Sequence, residues 1–240
     1  MRKPINLLLI TCCLALTSVG ASAEEHARGI LVASNKASLS SELAAKVIAV
    51  SKRMGESFKK GDSLIQLDCR LFEAQLDKVD AEVTVAQKKL ENTLQLNRLN
   101  SIGTLEVAIA EADLQKVEAE RSMAQVNVER CDIKAPFDGS VEQLDVQPFE
   151  VVKQQQALMK IVGLNQLEAD IIVPAQWMTW LRINKTMTLQ VEETQQRLQA
   201  VVSHIAPSVD PTSQTIQIRA TINKVPEKVL PGMSVVAEFK

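Results

Sequence analysis

At 240 residues the chain has room for one large domain or several small ones, and its 46% hydrophobic content suffices for packed cores. Aromatic residues are only 3%, tyrosine is absent, and the formal charge of −2 leaves no basic footprint for nucleic acid. Charges of both signs are spread along the helical middle of the chain, the pattern of a solvated helix face.

The first 23 residues read as an export signal. Arg2 and Lys3 give a positive start, residues 7–16 are apolar, and Ala21-Ser22-Ala23 is a small-residue cleavage site before Glu24. The apolar run is shorter than the ~20 residues that span a bilayer, and an uncleaved anchor is the alternative reading. Cys12 and Cys13 lie too early for a lipoprotein site. The mature chain is expected to be exported.

Residues 37–68 are β-rich, with turn signals at Gly55 and Gly61, and close on Leu64-Ile65-Gln66-Leu67-Asp68. A helical segment follows. Phe72, Leu76, Val79, Val83, Ala86 and Leu90 step by fours and threes, a heptad seam. After Asn100-Ser101-Ile102-Gly103-Thr104 a second seam runs through Val107, Ala110, Leu114, Val117, Arg121, Ala124 and Val128. Gly103 can adopt the left-handed conformation that ends a helix, and Thr104 can cap the next. A short break between seams of matching length predicts an antiparallel hairpin over 69–131, each arm reaching ~45 Å. Strand signals resume at Ile133-Lys134-Ala135-Pro136-Phe137-Asp138-Gly139 and run to Ile161.

In the last third, residues 167–174 alternate apolar and polar, and residues 175–181 read as a short helix with Trp177 and Trp180 on one face. Residues 186–191, 198–205, 215–222 and 234–239 read as four more strands. Catalytic chemistry finds little support. His26 and His204 have no partners at metal-ligand or triad spacing. Met54, Met123, Met159, Met178, Met187 and Met233 raise soft-metal capture as an alternative, but they fall at no repeating interval and methionine commonly fills gaps in cores.

Two β-rich halves around a heptad hairpin resemble a split biotinyl/lipoyl fold. With Ala135-Pro136-Phe137-Asp138-Gly139, the stretch from Val209 to Ala220 and Leu230-Pro231-Gly232-Met233, the chain resembles the periplasmic adaptors, or membrane fusion proteins of the HlyD type, of tripartite efflux and secretion systems. The fold class this implies is mostly β with an α-helical hairpin: a lipoyl-like domain interrupted by an antiparallel coiled coil and followed by a small β-barrel. The expected divisions are a signal peptide at 1–23, an N-terminal segment at 24–36 giving the barrel a strand, lipoyl halves at 37–68 and 132–163, the hairpin at 69–131 and the barrel at 164–240. The helical arm occupies the tip where a carrier domain holds its modified lysine, so no covalent lipoate or biotin and no other cofactor is expected. The implied partners are an inner-membrane transporter of RND or ABC type, an outer-membrane channel, and further copies forming a ring on the transporter. A structural envelope protein whose hairpin self-associates is the alternative from another class.

Departures from the family pattern carry expectations of their own. The membrane-proximal domain of the drug-pump adaptors is expected to be missing. Ala45, Phe149 and Gln155 stand where the family usually has glycine, so those turns are expected to differ in shape. Family members of the drug-pump type carry Arg, Leu and Ser at the channel-contacting tip. Arg98 and Ile102 match the first two, and Ala110 stands near the third without its hydroxyl. The candidate contact set is therefore Asn97, Arg98, Ser101, Ile102, Gly103 and Thr104, and the surface shows no large continuous apolar run.

Cys69 and Cys131 are the two cysteines left after signal removal, in an oxidising compartment, at the two feet of the hairpin. They form either a disulfide or a pair of buried free thiols, since antiparallel helix axes usually lie ~8–10 Å apart.

Overall fold

The computed structural model describes residues 26–239; the signal segment expected at 1–23 lies outside them. In chain order come β1 (His26–Ala33), β2 (Lys36–Ser40), β3 (Ala45–Val50), β4 (Ser57–Phe58) and β5 (Ser63–Leu67). Two helices follow, α1 (Arg70–Arg98) and α2 (Thr104–Glu129). Then come β6 (Asp132–Lys134), β7 (Gly139–Leu144), β8 (Val151–Val152), β9 (Ala157–Val162) and β10 (Leu167–Pro174). A 3-10 helix (Ala175–Thr179) leads to β11 (Thr186–Val191), β12 (Arg197–Ile205), β13 (Thr215–Ile222) and β14 (Ser234–Phe239).

Six of these strands close an antiparallel barrel in the order β1-β10-β13-β12-β11-β14. Strict alternation makes it: Leu167, Ala169, Ile171 and Val173 on β10 and Ile216, Ile218, Ala220 and Ile222 on β13 point inward, with polar residues between. Truncating a side chain such as Leu189, fully buried in this core, typically costs ~2–5 kcal/mol. The last turn is tied to the first strand, with Gly232 N–H donating to the Leu31 carbonyl (2.7 Å) and Leu31 N–H to the Met233 carbonyl (2.8 Å). The segment after β10 is a 3-10 helix and not an α-helix. Trp177 is buried and Trp180 half-buried, and both rings pack against Phe239 at 5.4 and 5.5 Å between centroids.

The remaining strands form two four-stranded sheets, β2-β9-β7-β4 and β6-β5-β3-β8, around a second core that includes Val47, Leu64, Ile65, Val141, Leu158 and Ile161. Each sheet takes two strands from each half. Substituting β2 by β6, β3 by β7, β4 by β8 and β5 by β9 turns one sheet into the other, so the unit has a pseudo-two-fold. This is the lipoyl-like sandwich split by a hairpin. The turns at Phe149 and Gln155 correct the expectation of a changed shape, because both residues keep left-handed backbone (φ 74° and 64°) despite their side chains. Neighbouring hydrogen bonds hold them there: Phe149 N–H donates to the Val47 carbonyl (2.8 Å) and Gln155 N–H to the Ser41 carbonyl (2.6 Å).

Candidate functional site: the helical arm and its tip

The arm leaves the sandwich after β5 and returns into β6. Its 29-residue first helix extends about 43 Å at 1.5 Å per residue. The seam positions meet as the periodicity requires: Val79, Val83 and Ala86 of α1 are buried against Ala110 and Ala124 of α2, with Phe72, Leu76, Leu90, Val107, Leu114, Val117 and Val128 half-buried. Arg121 is the exception. A guanidinium cannot be sealed in a two-helix seam without a partner, and it turns outward to bond the Asp80 carboxylate of α1. Lys89 Nζ reaches Asp113 across the other flank at 2.6 Å, and this hydrogen bond holds the Asp113 carboxyl below its usual range. Exposed pairs of this kind contribute ~0–1 kcal/mol each, so they set register more than stability.

At the feet, Cys69 and Cys131 are joined by a disulfide with Cα atoms 5.8 Å apart, inside the range a disulfide needs. The chain closes this distance because Leu67 N–H donates to the Cys131 carbonyl (2.8 Å) where β5 meets β6, drawing the helix ends closer than free helix packing would.

The tip is built differently from the sequence expectation. Asn100, not Gly103, takes the left-handed position (φ 54°). Ser101 N–H donates to the Leu96 carbonyl and Asn100 N–H to the Asn97 carbonyl, both at 2.9 Å, the paired bonds of a Schellman stop. Asparagine tolerates this backbone better than other side chains do. Gly103 is extended and precedes α2, and Thr104 is that helix's first residue. Asn97 faces inward, its Nδ2 donating to the Ile102 carbonyl at 3.1 Å. Ile102 is half-buried, while Arg98, Ser101, Gly103 and Thr104 are exposed. Ala110, near the expected serine position, is 2% exposed and turned into the seam. What the sequence reading passed over is apolar: Leu99 and Leu105 flank the turn with 73% and 68% of their surface exposed. Both lie off the seam, and an off-seam leucine beside a turn was the available signal.

Elsewhere the candidates disperse. Met159 and Met187 sit in separate cores, and Met54, Met123 and Met178 are exposed at three different places. His204 is exposed on β12. The Val209–Thr215 motif forms a turn in which Asp210 Oδ1 accepts from the N–H groups of Thr212 and Ser213, both at 2.9 Å. Those donors, Ser213 first, pull the Asp210 carboxyl below its usual range.

Residues 168–240 match the family model of the CusB-like β-barrel domain. The chain is 27% identical over 202 residues to the solvent efflux pump periplasmic linker SrpA of Pseudomonas putida, covering 78% of this chain and 53% of the relative. It is 24% identical over 227 residues to the nodulation protein NolF of Rhizobium meliloti, covering 88% and 62%. The chain thus spans little more than half the length of these curated relatives. In structure it is similar to a MacA–MexA chimera carrying the Pseudomonas aeruginosa MexA α-hairpin domain, with a TM-score of 0.77 at 19% identity over 90% of this chain and 82% of the other. Residues 168–240 thus carry a CusB-like β-barrel domain, and the chain as a whole is similar in sequence to efflux-pump periplasmic linkers and in fold to membrane fusion proteins.

Proposed function

We propose that this chain is a periplasmic adaptor linking an inner-membrane transporter, proton-driven or ATP-driven, to an outer-membrane channel for export. The observation that carries the reading is the tip: two exposed leucines and Arg98 held about 43 Å from the sandwich on a rigid arm. A side chain that gains nothing from its own fold at that place gains it from a partner. The barrel and sandwich would engage the transporter and the tip the channel, with copies side by side enclosing the conduit that one hairpin cannot. Export through such an assembly needs no catalytic group in the adaptor.

The test is an Arg98→Asp/Leu99→Asp double variant, assayed for efflux of a panel of toxic compounds in a strain lacking the native copy. Substitutions at exposed positions shift stability by less than ~0.5 kcal/mol, so the protein should accumulate normally while efflux falls at least ten-fold. Full efflux at normal protein level overturns docking through the tip.

A further inference from the structure

The barrel has one end joined to the sandwich and one end free. Residues 34–35 and 163–166 make the join, where β1 finishes and β10 begins. The free end gathers the 3-10 helix with its following turn (175–185), the loop 206–214, the start of β1 and the end of β14. It points away from the arm, whose foot lies at the far end of the sandwich, where Arg130 Nε reaches Glu42 beyond β2 at 2.7 Å.

Met178, Ile183 and Val209 stand out from this free end with 38%, 57% and 46% of their surface exposed. They lie apart in sequence, so no continuous apolar run announces them. The loops that carry them are firmly built. Ala175 N–H donates to the Gln214 carbonyl (2.9 Å), tying the two loops together. The Arg182 guanidinium gathers the carbonyls of Met178 (2.8 Å), Thr179 (3.1 Å) and Leu181 (2.7 Å). Half-buried Trp180 rests on Trp177 and Phe239 with ring centroids 5.4 and 5.5 Å apart. Held this way, the turn keeps Met178 and Ile183 outside a core already closed by Trp177 and Leu181.

Charge follows the same division. Residues 175–185 contain Arg182 and Lys185 and no acid, and Lys185 Nζ lies over the Trp180 ring at 5.9 Å. The loop 206–214 adds one acid, Asp210, whose carboxylate is engaged by the N–H groups of Thr212 and Ser213. At the joined end the balance reverses, and the hairpin loop 192–196 carries Glu192 and Glu193 with no base.

We infer that the free end of the barrel rests directly on a lipid bilayer with anionic headgroups. Met178, Ile183 and Val209 dip below the headgroups, Trp180 sits among them, and Arg182 and Lys185 face the lipid phosphates. Tryptophan favours that depth because its ring is apolar and its N–H polar. Separate apolar tips on a polar rim of Gln176, Thr179 and Asn184 suit a fluid surface, where attraction scales with buried apolar area plus the pull of anionic lipid on cations. The contact is shallow and reversible. Residues 1–25, with the apolar run at 7–16, also enter the fold at this end. The inference goes beyond the adaptor reading, which brings the chain to the membrane through a transporter, and does not depend on the tip.

Both tryptophans of the chain, Trp177 and Trp180, lie at this end, so unlabelled fluorescence reports the contact. The mature protein, mixed with vesicles of equal parts phosphatidylcholine and phosphatidylglycerol, should float with them. Its tryptophan emission should move to shorter wavelength and be quenched by bromine on the acyl chains. Met178→Ser/Ile183→Ser should lower the partition coefficient at least ten-fold, with lipid-free emission unchanged as the check that the lid is intact. Val209→Ser, on the other loop, and Lys185→Gln should each lower it about three-fold. Leu230→Ser, exposed at the joined end, should change nothing. A parent that does not float, flotation without tryptophan quenching, or undiminished binding by the double variant overturns the inference. Arg98→Asp/Leu99→Asp should float as the parent does, so the membrane contact and the channel reading stand or fall separately.

Discussion

The two halves of the sandwich build the same two turns from different residues. In the first half, Arg53-Met54-Gly55-Glu56 and Lys59-Lys60-Gly61-Asp62 each place glycine at positive φ, 85° and 90°. In the second half, Gln147-Pro148-Phe149-Glu150 and Lys153-Gln154-Gln155-Gln156 place Phe and Gln in the same region. In every turn the fourth residue's N–H bonds the first residue's carbonyl, and its side-chain oxygen accepts from the first residue's N–H at 2.9 to 3.2 Å. The left-handed N–H always donates across the pseudo-two-fold: Gly55 to Val141 and Phe149 to Val47, Gly61 to Ala135 and Gln155 to Ser41. One backbone geometry is thus held by the same clasps whether or not glycine supplies it. Conformational preference at these positions is a cost of order 1 kcal/mol that the clasp overrides, not a condition for the turn.

The largest effect should come from separating the halves at their junction. The Cys69–Cys131 bridge joins the end of the first half to the start of the second and closes a loop of 62 residues, for which chain entropy gives an upper figure of about 4 kcal/mol. Cys69→Ser/Cys131→Ser should lower denaturant stability by roughly 2–4 kcal/mol. A thiol count on the unreduced, denatured mature protein should find none at these two positions, and two would sink the staple. The next effect sharpens the comparison itself. Nothing lies within 4 Å of a Cβ added at Gly55 or Gly61, so Gly55→Ala or Gly61→Ala should cost only the backbone term, about 1 kcal/mol. Phe149→Gly, at a side chain mostly in solvent, should gain ~0.5–1 kcal/mol. Equal and opposite shifts in the urea midpoint would establish that the halves differ only in turn strain; a loss for Phe149→Gly would show that its ring, stacked under Lys46 Nζ at 5.4 Å, matters more than its φ.

The smallest effect is confined to acid. The Arg70 side chain bonds Asp68 and lowers its carboxyl to about 2 from the usual 3.8. A depressed folded-state pKa means the contribution is present above about 3.8 and is lost as pH falls toward about 2. Val162 occupies the matching place in the second half, so this acid limb belongs to the first half alone. Asp68→Asn should flatten the stability profile between those pH values and slightly lower stability at neutral pH, where the pair's contribution is fully present, bringing the variant and the parent together near pH 2; an unchanged acid limb would count against the pair.

Features with a long period were legible in the sequence. The arm's inner seam and the barrel strands Thr186–Val191, Thr215–Ile222 and Ser234–Phe239 repeat a buried position often enough to be read. The two-residue strands Ser57–Phe58 and Val151–Val152 hold no period and exist only through partners far along the chain. At the tip, local preference favoured Gly103 as the helix stop over Asn100, and the hydrogen bonds from Asn100 and Ser101 reversed that. Arg98 and Ile102 could be picked out by resemblance, whereas Leu99 and Leu105 became visible only once the seam had claimed the other apolar residues. The clasps at Glu56, Asp62, Glu150 and Gln156 needed the two halves overlaid before they meant anything.

The nesting of the elements also sets an order of events. The barrel holds β1 between β10 and β14, the sandwich is threaded between β1 and β10, and the arm is threaded through the sandwich. A chain emerging from its N-terminus can complete the arm and then the sandwich, but β1 must wait for strands made some two hundred residues later. At ~5–20 residues per second that is on the order of 10–40 s. For that interval the apolar side of β1, with Ala27 and Leu31, has no barrel to enter, and its two unpaired edges are open to any strand it meets. The first strand to appear is the last to be sheltered, which makes β1 the segment of the newborn chain most in need of a holding chaperone.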